Sequence, residues 1–369
     1  MADMLVPQRQ ALLIKELETA GVLKVTELAA RLGVSRDTVR RDLLGLEAAG
    51  RVTRVRGGAL LAGSRTVRNP ADGARSVVPS PTGSGQTVGL LVPSTDYYYP
   101  EVVAGVRAVA ARRGARLVIG LTDYARPRDL ERLDELGVAG ATGLLVVTAE
   151  AAHLPAAALE RLRRGGLPFV LVERRPQDVF AACEYVISHH QQGASTAVRH
   201  FAELGHERVG LFTNGSPTAP LVREGYATAV RRLGLAPGAP VVDSGHPTLG
   251  GGRATVLYDR FIADCRASGT LAALVHSDHD AIGMMRRMRA LGLRPPDDLA
   301  LIAYDDEISA LADVPLTAIA PPKRELGELA AQLLLERLEA ADPSGLPIRQ
   351  LTLQPRLVIR SSCGAPGRG

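Results

Sequence analysis

From Thr87 onward, short apolar runs rich in β-branched residues alternate with segments that have the periodicity of helices. Strands separated by helices of a dozen or more residues need crossover connections, and such connections build parallel sheets. Because the runs are more numerous than one sheet comfortably holds, the sequence predicts an α/β fold with two lobes. The predicted strands are residues 88–92, 117–120, 143–147, 169–172, 209–212, 272–275 and 301–304.

The first part of the chain does not follow this alternation. Residues 1–61 have the pattern of three short helices followed by a hairpin, and residues 62–86 are rich in Ser, Pro, Gly, Thr and Arg. A segment of that composition is typical of a flexible linker. The sequence therefore predicts a small domain over residues 1–61, a linker over 62–86 and a large domain over 87–363.

Positive charge is concentrated in the small domain and the linker. Residues 1–84 contain 13 Lys and Arg residues against 8 Asp and Glu residues, whereas the remainder of the chain contains 31 of each. A basic module attached to a neutral domain is typical of a chain that binds a polyanion. A solubilising basic arm would have the same charge, so the charge alone does not decide between these two interpretations.

The third predicted helix carries arginines on its outer face. Apolar residues recur along one face of this helix and are expected in the core, which leaves Arg40 and Arg41 pointing outward. Ser35 is suited to cap the helix, because its hydroxyl can accept a hydrogen bond from a backbone N–H of the first turn. A guanidinium group can bind guanine edges or phosphates with two hydrogen bonds. The expected core residues are Val39, Leu43 and Leu46.

The DNA-binding domain of the DeoR family, a winged helix-turn-helix, closely resembles two segments of this sequence. They are ELAARLGVSRDTVRRDL at residues 27–43 and LEAAGRVTRVRGGA at residues 46–59. The resemblance implies that the third helix enters the major groove of DNA and that the hairpin lies on the phosphates as a wing. The predicted DNA-binding residues are Ser35, Arg36, Thr38, Arg40, Arg41, Arg54 and Arg56.

The large domain resembles the periplasmic-binding-protein-like effector domain of lactose-repressor (LacI) family regulators. The matching segments include VGLLVPSTDYYYPEVVAGV at residues 88–106, LGHERVGLF at 204–212 and HSDHDAIGMMRRMRALGLRPPDDLALIAYDD at 276–306. The resemblance implies two lobes with parallel sheets, three crossovers between them, and a ligand enclosed between the lobes. Ligands of open parallel sheets bind outside the carboxyl ends of the strands, which favours the same place.

Several residues match positions at which this family holds its ligand, or have suitable chemistry. Tyr98 or Tyr99 stacks on a sugar or a base, or else the two rings simply cover the start of a helix. Asp278 accepts ligand hydroxyls, caps the helix that follows it, or does both. His189 is a ligand contact or a pH-sensitive group, with a plain surface role as the alternative. The predicted ligand-binding set is Tyr98, Tyr99, His189, Thr218, Arg223, His246 and Asp278.

The sequence predicts no catalytic residues, no cofactor and no metal. The histidines lack the spacing of a zinc site, the glycine run at 250–252 lacks the Lys of a phosphate loop, and no Ser stands in a nucleophile-elbow pattern. Three widely spaced cysteines favour a reducing compartment. With no signal peptide or long apolar run visible, we expect a cytoplasmic protein that does not enter a membrane.

These features predict a DNA-binding transcriptional regulator, a repressor, that is not an enzyme. Its expected partners are double-stranded operator DNA, a second copy in a homodimer, and a small polar effector, a sugar, bound between the two lobes. A nucleoside, a purine or a sugar phosphate remains open as the effector. A sugar-binding domain or a sugar-phosphate enzyme that acquired a DNA-binding arm is the further alternative.

Overall fold

The structure is a computed structural model, and the chain divides into two units, Met1–Ser76 and Val77–Gly369. Each unit is described by itself. The described residues are 13, 22–24, 38–39, 42–43, 46, 52–55, 58–61, 85–94, 96–122, 128–149, 152–245 and 251–365.

The first unit contains a small antiparallel sheet. Its strands are β1 (Val22–Lys24), β2 (Val52–Val55) and β3 (Gly58–Leu61), and β3 lies between the other two. Strands β2 and β3 pair from Val52 opposite Leu61 to Val55 opposite Gly58, which confirms the predicted hairpin. Strand β1 was not predicted from the sequence.

The apolar face predicted for the third helix is buried. Val39, Leu43 and Leu46 are helical and at most 4% exposed, so these three residues form the expected core contacts. Leu13, on the apolar face of the first predicted helix, is also fully buried. The helical spacing of apolar residues was therefore a sound guide to the interior of this unit.

The second unit begins with a lobe built on a six-stranded parallel sheet. Its strands are β4 (Thr87–Val92), β5 (Arg116–Leu121), β6 (Gly143–Val146), β8 (Phe169–Val172), β10 (Tyr185–Ser188) and β16 (Gln350–Leu353). Their spatial order is β16-β10-β8-β6-β4-β5, and every neighbouring pair is parallel. The short strands β7 (His153–Leu154) and β9 (Arg175–Pro176) form a separate, two-stranded parallel sheet.

Two pairs of helices cover the faces of this first lobe. On one face α1 (Tyr99–Arg112) packs with the C-terminal helix of the unit, and on the other face lie α2 (Arg128–Val138) and α3 (Ala156–Arg164). The C-terminal helix is so close to α1 that a Cβ on Gly105 would stand 2.1 Å from the Arg324 carbonyl oxygen. Only glycine permits that contact, so the two helices are held in tight register.

The second lobe also has a six-stranded sheet. Its strands are β11 (Gly210–Thr213), β12 (Val241–Asp243), β13 (Ala272–Val275), β14 (Ala300–Tyr304), β15 (Thr317–Ala320) and β17 (Arg356–Val358). The order is β12-β11-β13-β14-β15-β17, with only β17 antiparallel to its neighbour. Its helices are α4 (His190–Glu203) and α5 (Ala219–Arg232) on one face, and α6 (Gly251–Ala267) and α7 (Asp278–Ala290) on the other.

The chain passes between the lobes three times. It crosses from β10 to α4 at residues 188–190, returns from β15 to α8 (Lys323–Glu339) at 320–323, and crosses again from β16 to β17 at 353–356. The two-lobed α/β architecture and the three crossovers are therefore confirmed. Among the helices that the structure describes, none has the length and apolar character that crossing a membrane requires.

All seven predicted strands are present, most with bounds shifted by one residue. The strands β10, β12, β15, β16 and β17 were not predicted. They are short, and β10, β12, β16 and β17 contain half-buried or exposed positions instead of forming continuous buried runs.

Candidate ligand site between the two lobes

The carboxyl ends of the strands in the two lobes face one shared cleft. Tyr97, which follows β4 in the first lobe, donates its hydroxyl to Asp305 Oδ2 at 3.1 Å, and Asp305 directly follows β14 in the second lobe. The same hydroxyl accepts a hydrogen bond from the backbone N–H of Asp278 at 3.3 Å. Polar side chains from both lobes therefore meet where the sheets end, which is where parallel sheets bind ligands.

Backbone strain is concentrated at these strand ends. In the described part of the chain, four non-glycine residues have φ between 53° and 95°, and all four follow a strand that ends at the cleft. Such left-handed conformations cost about 1–3 kcal/mol each and gather at functional sites. The four residues are Tyr97, Glu173, Asp305 and Asp306.

A fully buried carboxylate, Glu173, organises the middle of the cleft. It accepts hydrogen bonds from the Ser188 backbone N–H at 2.9 Å, from the Ser188 hydroxyl at 2.6 Å and from the Tyr98 hydroxyl. His190 Nε2 lies 3.4 Å from the same carboxylate, and His190 Nδ1 lies 3.1 Å from the Tyr304 hydroxyl. Burial alone would raise the pKa of Glu173, but the His190 charge and these donors lower it to about 2. Glu173 is thus an anion whose acceptor sites are already used.

A cavity of about 120 Å³ opens beside this carboxylate. Both lobes and the first crossover contribute to its wall, so a molecule in it would contact the two lobes at once. His189 lines the cavity, and because its Nδ1 accepts a hydrogen bond from the Gln192 backbone N–H, its Nε2 carries the proton in the neutral tautomer. The lining residues are Ala152, Glu173, Arg175, Ile187, Ser188, His189, His190, Gln191, Leu221 and Thr352.

Several buried polar side-chain atoms near the cleft have no hydrogen-bond partner. Thr122 Oγ1 follows β5 and Thr148 Oγ1 follows β6 in the first lobe, while Ser216 Oγ follows β11 and His276 Nδ1 follows β13 in the second. Leaving a buried polar atom unpaired costs about 1–3 kcal/mol, so each such atom needs an explanation. Their shared position after strands of both sheets is explained if a polar ligand provides the missing partners.

On the second-lobe side of the cleft the carboxylates are paired internally. The fully buried Asp278 carboxylate accepts hydrogen bonds from the backbone N–H groups of Asp306, Glu307 and Ile308 at 3.2, 2.6 and 2.8 Å, and from the Ser309 hydroxyl at 2.9 Å. We call residues 305–309 the acidic loop. Burial and the nearby Asp305 charge nevertheless raise the pKa of Asp278 to about 6.

Two cations hold the acidic loop from other sides. Arg360 binds the Asp306 carboxylate with both terminal nitrogens, at 2.6 and 3.1 Å. Lys323, at the second crossover, donates to the Glu307 carboxylate and to the Asp305 carbonyl oxygen, and its ammonium lies 5.2 Å from the centre of the Tyr98 ring. The loop is therefore tied to both lobes by charged and hydrogen-bonded contacts.

The structure places the predicted ligand residues in different surroundings. Tyr98 and His189 lie around Glu173 and its cavity, whereas Tyr99 is only 7% exposed and packs in the core of the first lobe. Asp278 holds the acidic loop, and the N-cap of α7 is Ser277, so Asp278 is not the cap. The ligand roles of these residues stay predictions.

The remaining predicted ligand residues are not gathered at the cavity. Thr218 is the N-cap residue of α5 but makes no capping hydrogen bond with its side chain, and Arg223 forms a partly exposed ion pair with Asp243 at 3.1 Å. His246 lies outside the described residues. Their contact with a ligand also stays a prediction.

Sequence reasoning missed the groups that dominate the cleft. Glu173, Arg174 and Arg175 directly follow the predicted strand at 169–172, but a charged run after a strand looks like an ordinary solvated turn. The useful signal was position, because the carboxyl end of a parallel strand is where ligand-binding side chains are expected. Lys323 was likewise missed, because nothing local in the sequence shows that it reaches the acidic loop.

Little of the predicted DNA-binding surface is described. Thr38 is helical and partly exposed, and the backbone of Arg54 lies in β2 opposite Ala59. This agrees with the predicted placement of Thr38 on the third helix and of Arg54 in the wing. The other predicted DNA-binding residues, Ser35, Arg36, Arg40, Arg41 and Arg56, lie outside the described part of the chain.

Comparisons with known proteins match both units. A model of the DeoR-like helix-turn-helix domain matches residues 9–65, and a model of the periplasmic binding protein-like domain matches residues 198–363. The HTH-type transcriptional regulator MalR of Streptomyces coelicolor is 30% identical over 357 residues, which cover 93% of this chain and 98% of that protein. The relatives matched are transcriptional regulators and not enzymes.

Two solved structures share the fold of the second unit. A LacI family transcriptional regulator from Enterococcus faecium, determined with bound ribose, is 23% identical with a TM-score of 0.61 and covers 75% of this chain and 98% of its own. The Lac repressor dimer bound to operator and the anti-inducer ONPF is 22% identical with a TM-score of 0.62, covering 75% and 93%.

Fold, cleft and relatives together define a transcription regulator with a two-lobed effector-binding domain. The chain belongs to the LacI family of transcriptional regulators and carries a DeoR-like helix-turn-helix at its N-terminal end.

Proposed function

We propose that this regulator is a repressor that binds operator DNA through residues 1–61 and is controlled by a small polar molecule held between the lobes of residues 87–363. The carrying observation is the set of unpartnered buried atoms after strands of both lobes: Thr122, Thr148, Ser216 and His276. An apolar ligand would leave these atoms unpaired, whereas a molecule rich in hydroxyl groups can donate to and accept from all of them. Residues 62–86 act as the linker.

A sugar is the effector class that best fits these groups. Ser and Thr hydroxyls both donate and accept hydrogen bonds, so they suit the hydroxyls of a sugar in either role. The regulator from Enterococcus faecium that shares this fold was determined with ribose, which supports the same class of ligand. A nucleoside or a purine is the second candidate, and Tyr98 would then be the ring available for stacking.

Control of repression requires that ligand binding in the cleft changes the affinity for DNA. A homodimer provides this coupling, because two helix-turn-helix units meet two inverted half-sites only at a suitable separation, which the effector domains set. The Lac repressor, which shares the fold, was determined as a dimer bound to operator. We therefore assign operator binding to a homodimer of this chain.

The DNA-binding part of the proposal is tested by selection from a random duplex library, followed by titration of the selected and a random duplex. Arg41→Ala should weaken binding to the selected duplex by about 1–3 kcal/mol and spare the random duplex, since Arg41 is predicted to read bases. Arg54→Ala should weaken both similarly and flatten the salt dependence, because a phosphate contact carries no sequence information.

Arg199→Ala is the matched control for this titration. It removes the same charge from the exposed face of α4 in the second unit, where Arg199 pairs with Glu203, and should leave both affinities unchanged. Failure to enrich any sequence from the library would overturn the assignment as an operator-binding repressor. Equal losses on the two duplexes for Arg41→Ala would remove Arg41 from base recognition.

The effector is identified by thermal unfolding of the full chain with a panel of neutral sugars, nucleosides and purines. A ligand that binds the native state raises its stability by RT ln(1 + [L]/Kd), or about 2.7 kcal/mol at a hundred times Kd. The same compound should then change the affinity for the selected duplex. A compound that stabilises the chain without changing DNA binding would contradict its role as the effector.

A further inference from the structure

Two arginines follow the buried Glu173 carboxylate at the end of β8, and neither forms an ion pair with it. Arg175 lines the cavity, and Arg174 is the residue before it at the end of β8. Glu173 is the buried carboxylate here, and it already accepts hydrogen bonds from Tyr98 and Ser188 and lies against His190. Its acceptor sites are therefore already used by these groups, and no ion pair joins it to either arginine.

Arg174 is a buried cation whose partners are neutral. The residue is only 3% exposed. Its guanidinium donates from Nε to the Thr148 carbonyl oxygen at 2.9 Å and from Nη1 to the Glu173 carbonyl oxygen at 2.7 Å. Among the described residues, no carboxylate forms an ion pair with it. Burying an unpaired charge is costly, so a buried guanidinium normally has an anion nearby.

Arg175 is held in place by an uncharged group. Its Nε donates to His153 Nε2 at 2.9 Å, and burial together with the Arg175 charge lowers the pKa of His153. No described carboxylate lies within ion-pair distance of this guanidinium either. Glu224 stands at the exposed rim, where it accepts a hydrogen bond from Gln191 at 3.3 Å. The terminal nitrogens of Arg175 thus remain the strongest donors on the cavity wall.

His189 adds a second donor to the same wall. Its Nδ1 is used as an acceptor by the Gln192 N–H, which leaves the Nε2 proton as its donor. His189 also precedes the first turn of α4, and the partial positive charge of a helix N-terminus favours an anion at this point. The cavity wall therefore combines a guanidinium and an imidazole N–H.

We propose that the cavity takes an anionic group of the effector, a phosphate or a carboxylate, bound by Arg175 and His189. This rests on the proposed function and narrows it, because the effector becomes a sugar phosphate or a sugar acid instead of a neutral sugar. A tetrahedral or planar anion can accept from the guanidinium in two hydrogen bonds and from His189 in a third.

The direct test uses inorganic phosphate on the full-length chain. Millimolar phosphate should raise the unfolding temperature above that in chloride of equal ionic strength, and Arg175→Gln should abolish this rise. Arg199→Gln, an exposed arginine on α4 paired with Glu203, is the matched control and should keep the full rise. If phosphate gives no rise, or if both variants respond alike, the proposal is overturned.

Matched ligands then separate the two sources of the anion. Titrations compare ribose with ribose 5-phosphate, and glucose with glucose 6-phosphate and with glucuronate. We expect the anionic member to bind at least tenfold more tightly than its neutral partner, with that preference lost in Arg175→Gln. A preference for glucuronate assigns a carboxylate, and a preference for the sugar phosphates assigns a phosphate.

The same titrations keep this inference distinct from the proposed function. A neutral sugar that binds as tightly as its anionic partner, with an affinity that Arg175→Gln does not change, overturns the inference but leaves a sugar-responsive repressor intact. Failure of the repressor proposal would appear elsewhere, in the duplex selection, which contains no effector.

Discussion

The acidic loop and the cavity beside Glu173 are both polar, but their charges are balanced differently. At the acidic loop, four carboxylates each have a partner within the protein. Asp278 accepts from the loop N–H groups and Asp305 from Tyr97, while Asp306 pairs with Arg360 and Glu307 with Lys323. At the cavity, the arginines that follow Glu173 pair with carbonyl oxygens and an imidazole. Groups whose partners lie within the protein hold the lobes together, and groups with unused donors remain for a ligand.

The largest effect should follow from removing Asp278, whose carboxylate accepts the hydrogen bonds of the acidic loop. Asp278→Ala leaves three backbone N–H groups and a hydroxyl without their acceptor, and we expect the free energy of unfolding to fall by about 4 kcal/mol. Urea denaturation followed by circular dichroism measures this. Asp313→Ala, which removes an exposed partner of Arg289, should change it by less than about 0.5 kcal/mol.

The contrast between the acidic loop and the cavity fails if Asp278 binds the effector instead of holding the loop. Unchanged stability of Asp278→Ala, combined with lost effector binding, would show that its carboxylate serves a ligand and that the loop contacts are incidental.

A smaller effect should appear in the dependence of stability on pH. Burial lowers the pKa of His276, beside Asp305, to about 4, below the value near 6.5 of an unfolded His. The unfolded state then binds the proton first, so the His276 contribution is complete above pH 6.5 and is lost as the pH falls towards 4. Between pH 7.5 and 5 the loss should be about 2 kcal/mol.

The measurement is a pair of denaturation series, one for the wild type and one for His276→Gln, over that pH range. The variant has no imidazole to protonate, so its stability should decline less steeply by the stated amount. Parallel curves would mean that the pKa of His276 is the same in the native and unfolded states, which would contradict the effect of burial.

The smallest effect should come from the link between Tyr97 and Asp305. Tyr97→Phe removes two hydrogen bonds between the lobes, the one donated to Asp305 and the longer one accepted from the Asp278 N–H, and should lower the free energy of unfolding by about 1 kcal/mol. Tyr185→Phe, which loses an exposed hydrogen bond to Gln350 within the first lobe, should have less effect. A Tyr97→Phe protein as stable as the wild type would show that the acidic loop does not depend on this hydrogen-bond partner in the first lobe.

The fold was largely predictable because it depends on repeated local patterns. Apolar runs such as residues 88–92 are buried strands, and the helical spacing of Val39, Leu43 and Leu46 identified their buried face. The short strands β10 and β16 escaped prediction because their stability comes from parallel neighbours that are distant in sequence.

The cleft chemistry was less predictable, for a related reason. Asp278 was expected to hold a ligand from its place in a motif, but nothing local shows that residues 306–309 fold back onto its carboxylate. Whether a charge is free or paired depends on partners about 30 residues away or in the other lobe. That Arg175 bonds an imidazole and no carboxylate became visible only when its partners could be identified.

The position of the cavity at the first crossover has a mechanical consequence. Residues 188–190 are both cavity wall and one of the three connections between the lobes, so a ligand there contacts the chain where the lobes join. If the lobes rotate about these connections, the displacement of any part of a lobe grows with its distance from them. A shift of ångström scale at the cavity wall would then correspond to a larger movement at the far edges of the effector domain.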